Sequence, residues 1–219
     1  MMHPPYHSYI FLSYRRRIFD GGGSGNLRES KAALLECFRA QANAVSSYTL
    51  LGLKGNIAAL LWVRGDSPER VSRAFSALVR GGLFRLFRIE RTLFGIARES
   101  PYSKKPIRPM SGNPRAPYLI VYPFTKMAEW YLLPFAERKA MMGEHIRRGL
   151  AHQGIRQLLL YSTGVDDQEF IVSYEARSLI AFQDLVADLR STKARMFTKS
   201  DTPIFLCMRA PMRDILDFI

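Results

Sequence analysis

The sequence has few cysteines and lacks long apolar runs. Its two cysteines, Cys37 and Cys207, are too few among 219 residues for a disulfide framework, and their spacing matches no zinc motif. No apolar run reaches the ~18 residues that a transmembrane helix needs. Residues 1–9 lack the charged and apolar regions of a signal peptide. We therefore expect a cytoplasmic protein that does not insert into a membrane.

The sequence also lacks recognisable nucleotide and nucleic-acid motifs, although it is strongly basic. Its net charge is +13, with 32 lysines and arginines against 19 acidic residues. No glycine-rich phosphate loop, RNA-binding aromatic motif or zinc finger accompanies these charges. A solvated basic surface is the ordinary explanation of such an excess. A nucleic acid, an anionic membrane surface or an anionic small molecule could also use it, and the charge alone does not separate them.

Two halves of the chain show the same predicted order of elements, and 47% hydrophobic residues indicate a packed globular protein. Apolar periodicity and turn residues define the elements, and Ser67-Pro68 is a typical helix start. Predicted elements of the first half are strands at 9–14, 48–53, 58–63 and 87–97 and helices at 27–46 and 68–80. Those of the second half are strands at 118–124, 158–162, 170–174 and 204–208 and helices at 134–151 and 177–193.

Each half therefore reads β-α-β-β-α-β, which is the ferredoxin-like unit. We predict an α+β fold of two tandem ferredoxin-like units, a dimeric α+β barrel whose antiparallel sheets pack face to face. The predicted boundaries are 8–99 for the N-terminal unit, 100–117 for a proline-rich linker and 118–210 for the C-terminal unit. A connection as long as this linker is often functional.

Histidine and tyrosine provide the candidate reactive side chains. His3 and His7 fall in a predicted flexible arm, and His152 lies near a helix end. His145 is on the helix 134–151, where a lone histidine is more often an ordinary core or surface residue than a ligand. Tyr122 precedes a proline and is therefore expected at a strand end, either as a packed aromatic or as a redox-capable phenol.

Several motifs together resemble the chlorite dismutase family of haem proteins, over residues 8 to 210. The second half carries the most specific of them, and the first half carries similar ones at 48–53, 61–63, 67–69 and 100–102. The segments of the second half are Tyr122-Pro-Phe-Thr-Lys126, Glu129-Trp-Tyr-Leu-Leu-Pro134, Met141-Met-Gly-Glu-His145-Ile-Arg-Arg-Gly149 and Tyr161-Ser-Thr-Gly-Val-Asp-Asp167.

Two positions place the resemblance closer to the coproheme decarboxylase branch than to true chlorite dismutases. Gln157 stands where the latter carry a distal arginine, and strand alternation points the adjacent Arg156 to the opposite face. Ala194 stands where they carry a glutamate that holds the proximal histidine. We identify no partner for the second ring nitrogen of the histidine from the sequence.

The resemblance implies roles for individual residues. His145 would be the axial ligand of an iron porphyrin, Tyr122 the radical site, and Lys126 and Arg108 cationic partners of the propionates. Trp130 and Gln157 would also line the porphyrin site. A serine that binds a propionate in the family has no clear counterpart here, with Thr202 the nearest guess.

The implied reaction is peroxide-dependent decarboxylation of iron coproporphyrin to haem b. The implied assembly is a homopentamer with a porphyrin as its small-molecule partner and no nucleic-acid partner. Two other functions stay open. One is a haem protein of the same family with weak peroxidase activity or a carrier role, and the other is a non-haem α+β barrel that binds an anionic partner.

Overall fold

The structure is a computed structural model that describes residues 5–18, 24–103 and 116–219, without the side chains of Arg17 and residues 24–26. The chain forms two compact units. The first comprises Met1–Ile96 with Leu206–Ile219, and the second comprises Ala97–Phe205. Both units combine antiparallel strands with helices, and the predicted β-α-β-β-α-β order occurs twice along the chain, so the α+β, ferredoxin-like fold class is confirmed.

The first unit is built on a sheet in which β1 lies between β3 and β4, and β2 pairs with β3. Apolar residues from the sheet and from four helices form its core, with Leu34, Leu61 and Leu78 fully buried. The elements of this part are β1 (Tyr6–Tyr14), a 3-10 helix (Arg16–Ile18), α1 (Ser24–Ala40), β2 (Val45–Thr49), β3 (Ala59–Gly65), α2 (Pro68–Arg80), α3 (Leu83–Leu86) and β4 (Phe87–Ile96).

The second unit has β7 between β5 and β6. Helix α6 places Leu185 and Leu189 against Val172 and Tyr174 of β7. The elements are β5 (Tyr118–Lys126), α4 (Ala128–Leu132), α5 (Phe135–Ala151), β6 (Arg156–Tyr161), β7 (Phe170–Ala176), α6 (Leu179–Arg190), a 3-10 helix (Lys193–Phe197) and β8 (Thr198–Ser200).

The C-terminal segment contributes β9 (Phe205–Arg209) and α7 (Met212–Leu216), and from Leu206 onward it belongs to the first unit. Thr49 of β2 pairs with Met208 of β9. The Tyr14 hydroxyl donates a 2.5 Å hydrogen bond to the Ile215 carbonyl. The boundaries predicted from the sequence, 8–99 and 118–210, differ from this division in where they place the last strand.

Local signals set several boundaries correctly. The Ser67 side chain accepts a hydrogen bond from the Arg70 amide at 3.3 Å, and Pro68 occupies the first turn of α2. The equivalent helix of the second unit, α6, begins in the same way, because Ser178 accepts from the Ala181 amide at 3.2 Å. Both arrangements satisfy an amide that a helix start leaves without an intrahelical partner.

Two expectations from the sequence are wrong. The helix predicted over 27–46 ends at Ala40, and Val45 begins β2 because it pairs with Val63 of the neighbouring strand. Long-range strand pairing here overrides a helical apolar period. His7 is not in a flexible arm: it lies in β1, is 5% exposed, and accepts a 3.1 Å hydrogen bond from the Trp62 indole. His3 lies outside the described residues.

Over the described ranges, no helix combines the length and the apolar character needed to cross a bilayer.

Candidate functional site

His145 lies on α5, and its ring is partly buried. Burial, together with the smaller effect of the Lys126 positive charge, lowers the pKa of this imidazole from 6.5 to about 4. The ring is therefore neutral at physiological pH. A neutral imidazole is the form that binds a metal ion, and protons compete with a metal for it only in strong acid.

Thr192 is the partner of His145 that sequence reasoning did not find. Its Oγ1 lies 3.0 Å from His145 Nδ1, and it follows α6, which ends at Arg190. The same hydroxyl donates a 2.7 Å hydrogen bond to the Leu189 carbonyl. The sequence offered no partner for this nitrogen, because only the fold brings the segment after α6 to the ring.

Lys126, at the end of β5, is held next to this segment. Its Nζ donates a 3.0 Å hydrogen bond to the Ala194 carbonyl and lies 4.4 Å from the centre of the Trp130 ring. Burial, reinforced by the nearby Arg195 charge, lowers the pKa of Lys126 to about 8. The ammonium has three donors, so an anion could accept a hydrogen bond from it in addition to the one that the Ala194 carbonyl accepts.

Trp130 is 3% exposed and packs among aromatic rings. Its ring lies 5.6 Å from that of Phe197 and 6.2 Å from that of Tyr102. The indole face stabilises the Lys126 ammonium by a cation–π contact. Trp130 therefore packs the face of its ring against the Lys126 ammonium and leaves little of its own side chain exposed to solvent.

Tyr122 lies within β5, and the expectation that Pro123 ends the strand there is wrong. Pairing with β7 continues through Pro123 opposite Ile171 and Phe124 opposite Phe170. A strand tolerates a proline where its nitrogen faces away from the hydrogen-bonded neighbour. The backbone is therefore paired with β7 both before and after Tyr122, which fixes the position from which the phenol projects.

The Tyr122 ring stacks on that of Tyr174, with 6.2 Å between ring centres and 26° between planes. Burial raises the pKa of the Tyr122 phenol, while a hydrogen bond donated by the Tyr174 hydroxyl acts in the opposite direction. Tyr174 is fully buried, and its own pKa is raised well above the ordinary value. Both phenols are therefore protonated at neutral pH.

Gln157 shares a sheet face with Tyr122. Gln157 pairs with Tyr174 of β7, and Tyr122 pairs with Val172, two residues away on the same strand. Arg156 points to the opposite face, where its Nη2 lies 2.6 Å from Oε2 of the buried Glu175. The alternation predicted from the sequence is confirmed, and Gln157 is exposed on the face that also carries the phenol.

The structure gathers most of the predicted residues into the second unit. The segment 192–194 contacts both His145, through Thr192, and Lys126, through Ala194. Arg108 lies outside the described residues, and Thr202 is exposed in the segment between β8 and β9. The roles of these side chains stay predictions, and the backbone and hydroxyl groups that contact them were not predicted from the sequence.

Helix α5 carries the imidazole without burying any of its 17 residues. Its apolar side chains Met141, Met142 and Ile146 are only partly covered by the chain. Across residues 5–18, 24–103 and 116–219 no three acidic, histidine or cysteine side chains cluster as a metal site. A metal at His145 would have to bring its own ligands, as porphyrin iron does, and a flat apolar ring suits a partly uncovered helix face. The residues present fit an iron porphyrin.

Comparisons with known proteins identify relatives of this chain. A sequence profile of the chlorite dismutase family matches residues 26–210. The coproheme decarboxylase of Mycolicibacterium smegmatis is 29% identical over 171 residues, which cover 77% of this chain and 74% of the relative.

Solved structures share the fold over the whole chain. A double mutant of the chlorite dismutase from Candidatus Nitrospira defluvii has a TM-score of 0.87 and 26% identity, with 100% of this chain and 96% of that chain covered. The complex of that enzyme with imidazole has a TM-score of 0.85 and 25% identity, at the same coverage.

Proposed function

The chain belongs to the chlorite dismutase family, and on that premise we propose that it decarboxylates coprohaem with hydrogen peroxide to form haem b. The observation that carries the proposal is the shared placement of Tyr122 and Gln157 on one sheet face, in the unit that holds His145 and Lys126 at the segment 192–194. The 29% identity to a coproheme decarboxylase supports this activity over others of the family.

Binding would use the neutral imidazole and the cations of the second unit. His145 holds the iron, and Lys126 pairs with a propionate, joined by Arg108 from the linker. Arg190 and Arg195 contribute positive charge near Tyr122, although Asp201 pairs with both of them, at 4.0 and 3.3 Å. Coproporphyrin carries four carboxylates, so the positive balance of the chain favours its approach.

The reaction balances with peroxide as the oxidant. Each round takes one propionate, one hydrogen peroxide and one proton, and gives a vinyl group, carbon dioxide and two waters. When bound, the iron of the substrate supplies the redox chemistry that couples peroxide to the propionate. Tyr122 gives up one hydrogen atom and recovers one from the propionate β-carbon. Departure of carbon dioxide with loss of a second electron leaves the vinyl group.

The other side chains position these groups. The paired strand and the Tyr174 contact hold the Tyr122 phenol, which stays protonated until it reacts because burial raises its pKa. Gln157 is neutral, so it can donate a hydrogen bond to an incoming oxidant without the charge of an arginine. A cytoplasmic location, expected from the sequence, and a homopentameric ring, which rests on analogy with the family, complete the proposal.

The decisive experiment adds ferric coprohaem and then hydrogen peroxide to the purified protein and follows product mass. We expect stepwise loss of two carboxyl groups. Tyr122→Phe should keep the coprohaem absorption spectrum and lose turnover. Tyr161→Phe is the matched control, because it removes a phenol from the same sheet face, near Arg98, and should retain turnover.

Each other outcome points to a different function. Turnover in Tyr122→Phe would reject the radical role of Tyr122. Coprohaem binding without mass loss in the wild type would indicate a haem carrier or a weak peroxidase. If coprohaem does not bind and the protein binds nucleic acid in a salt-dependent way, the non-haem alternative is correct.

A further inference from the structure

We propose that Thr192 is a positioning residue that holds His145 as the Nδ1–H tautomer through a neutral acceptor, leaving Nε2 as the iron ligand. The inference rests on the proposed function only for the identity of the metal. The tautomer itself is a property of the protein without substrate.

The proton count of one hydroxyl carries the argument. Thr192 Oγ1 has a single hydrogen, and it is given to the Leu189 carbonyl at 2.7 Å. Thr192 is 2% exposed, so bulk water does not compete for this hydrogen. At 3.0 Å from His145 Nδ1 the oxygen must therefore accept. The hydrogen on that bond belongs to the ring, which places the lone pair of the neutral imidazole on Nε2.

The acceptor is fixed to the core of the unit. The Leu189 carbonyl lies at the C-terminal end of α6, where the helix dipole is negative, and it also accepts a 3.2 Å hydrogen bond from the Thr192 amide. The Leu189 side chain packs in the cluster formed with Val172 and Tyr174 of β7. Thr192 thus ties the ring on α5 to a helix that rests on the sheet.

Further contacts between the two helices limit the freedom of the ring. His152 Nε2 lies 3.0 Å from Asp188 Oδ2, and Arg148 Nη1 lies 3.3 Å from Asp188 Oδ1. These contacts join α5 to α6 one to two turns beyond His145. The orientation of the imidazole is therefore determined by α6 and the residues that follow it.

A hydroxyl acceptor has a chemical consequence for the metal. A carboxylate on Nδ1 would draw the proton away from the ring and make the imidazole a stronger electron donor to iron. The Thr192 hydroxyl accepts from the ring, donates its own hydrogen to the Leu189 carbonyl and carries no charge. We expect the iron to be less electron-rich than in a variant with a carboxylate at position 192, and its reduction potential to be higher.

The first test uses the substrate-free protein. In protein labelled with ¹⁵N at histidine, His145→Gln identifies the His145 signals. We expect wild-type His145 to show a protonated Nδ1 and an unprotonated Nε2 at neutral pH. Thr192→Val, which keeps the shape of the side chain, should lose this preference, and Thr192→Ser should retain it. An Nε2–H tautomer in the wild type, or an unchanged signal in Thr192→Val, would overturn the proposal.

The second test uses the protein loaded with ferric coprohaem. Thr192→Asp should lower the midpoint potential and raise the iron–histidine stretching frequency of the ferrous form relative to the wild type, while Thr192→Ser should leave both unchanged. No difference between Thr192→Asp and the wild type would contradict the electronic role. Circular dichroism of every variant checks folding, and Thr192→Ser keeps the test valid should Thr192→Val fold poorly.

The two proposals fail separately. The wild-type tautomer can be correct in a protein that never decarboxylates coprohaem, in which case only the proposed function is rejected. Decarboxylation by a protein whose His145 carries its proton on Nε2 would reject only the role of Thr192.

Discussion

The first long helices of the two units, α1 and α5, have the same length of 17 residues and the same place in the β-α-β-β-α-β order. Helix α1 inserts Leu34 into the core of its unit with no exposed surface. Helix α5 buries none of its residues. The same topology therefore gives one helix that completes a core and one whose apolar side is left partly uncovered by its own chain.

Two histidines show the same contrast at the level of atoms. His7 is buried in β1, and its Nδ1 accepts a hydrogen bond from the Trp62 indole, as expected of a structural residue. His145 is partly exposed, and its Nδ1 faces a hydroxyl that is already committed as a donor. In this protein the Nδ1 partner is therefore a donor at the core histidine, His7, and an acceptor at the candidate ligand, His145.

The largest predicted effect tests the difference between the helices. Leu34→Ala should lower the free energy of unfolding by about 2–5 kcal/mol, since it removes a fully buried side chain from a packed core. Leu150→Ala on α5, where the side chain is 55% exposed, should change it by no more than about 0.5 kcal/mol. Urea denaturation followed by circular dichroism measures both, and equal losses would remove the contrast.

The next effect separates the two histidines. His7→Ala leaves the buried Trp62 indole without its acceptor and should cost about 1–3 kcal/mol of stability. His145→Ala should cost less and should abolish the axial-ligand absorption on addition of ferric coprohaem, which His7→Ala should preserve. Thermal melts and absorption titrations of both variants provide the comparison. If only His7→Ala lost the axial-ligand absorption, His7 and not His145 would be the iron ligand.

A third prediction concerns the partly buried cation of the second unit. Lys126 has a pKa of about 8 without ligand, so it loses its charge as the pH rises through that value. Coprohaem affinity should then fall by about tenfold or more between neutral and strongly alkaline pH, since a charge-assisted hydrogen bond is lost. Lys126→Arg keeps its charge throughout and should bind without this pH dependence. A flat profile for the wild type would exclude Lys126 as a propionate partner.

The smallest change in stability is expected at the serine N-caps of α2 and α6, a feature that the two units share. Ser67→Ala and Ser178→Ala each remove a capping hydrogen bond from one of the equivalent helices α2 and α6, and each should cost about 1 kcal/mol. Replacement of either serine by aspartate should restore most of the loss. A large difference between the two variants in urea denaturation would show that the units do not use equivalent caps.

Local chemistry in the sequence determined much of the fold and of the candidate site. Serine caps, apolar periods and glycine stops placed α2 and most strands within a few residues of their observed bounds. Strand alternation placed Gln157 and Arg156 on opposite faces, as the pairing with β7 confirms. These features depend on residues near one another along the chain, so a sequence can display them without its tertiary structure.

Only the tertiary structure decided which distant groups meet. Strand pairing with β3 made Val45 part of a strand although the local pattern favoured a helix, and β9 joined the first unit by pairing with β2. Thr192 reaches His145 across 47 residues, and Ala194 reaches Lys126 across 68. A hydrogen bond across such a separation depends on where two folded elements come together, and no local pattern of residue types records that distance.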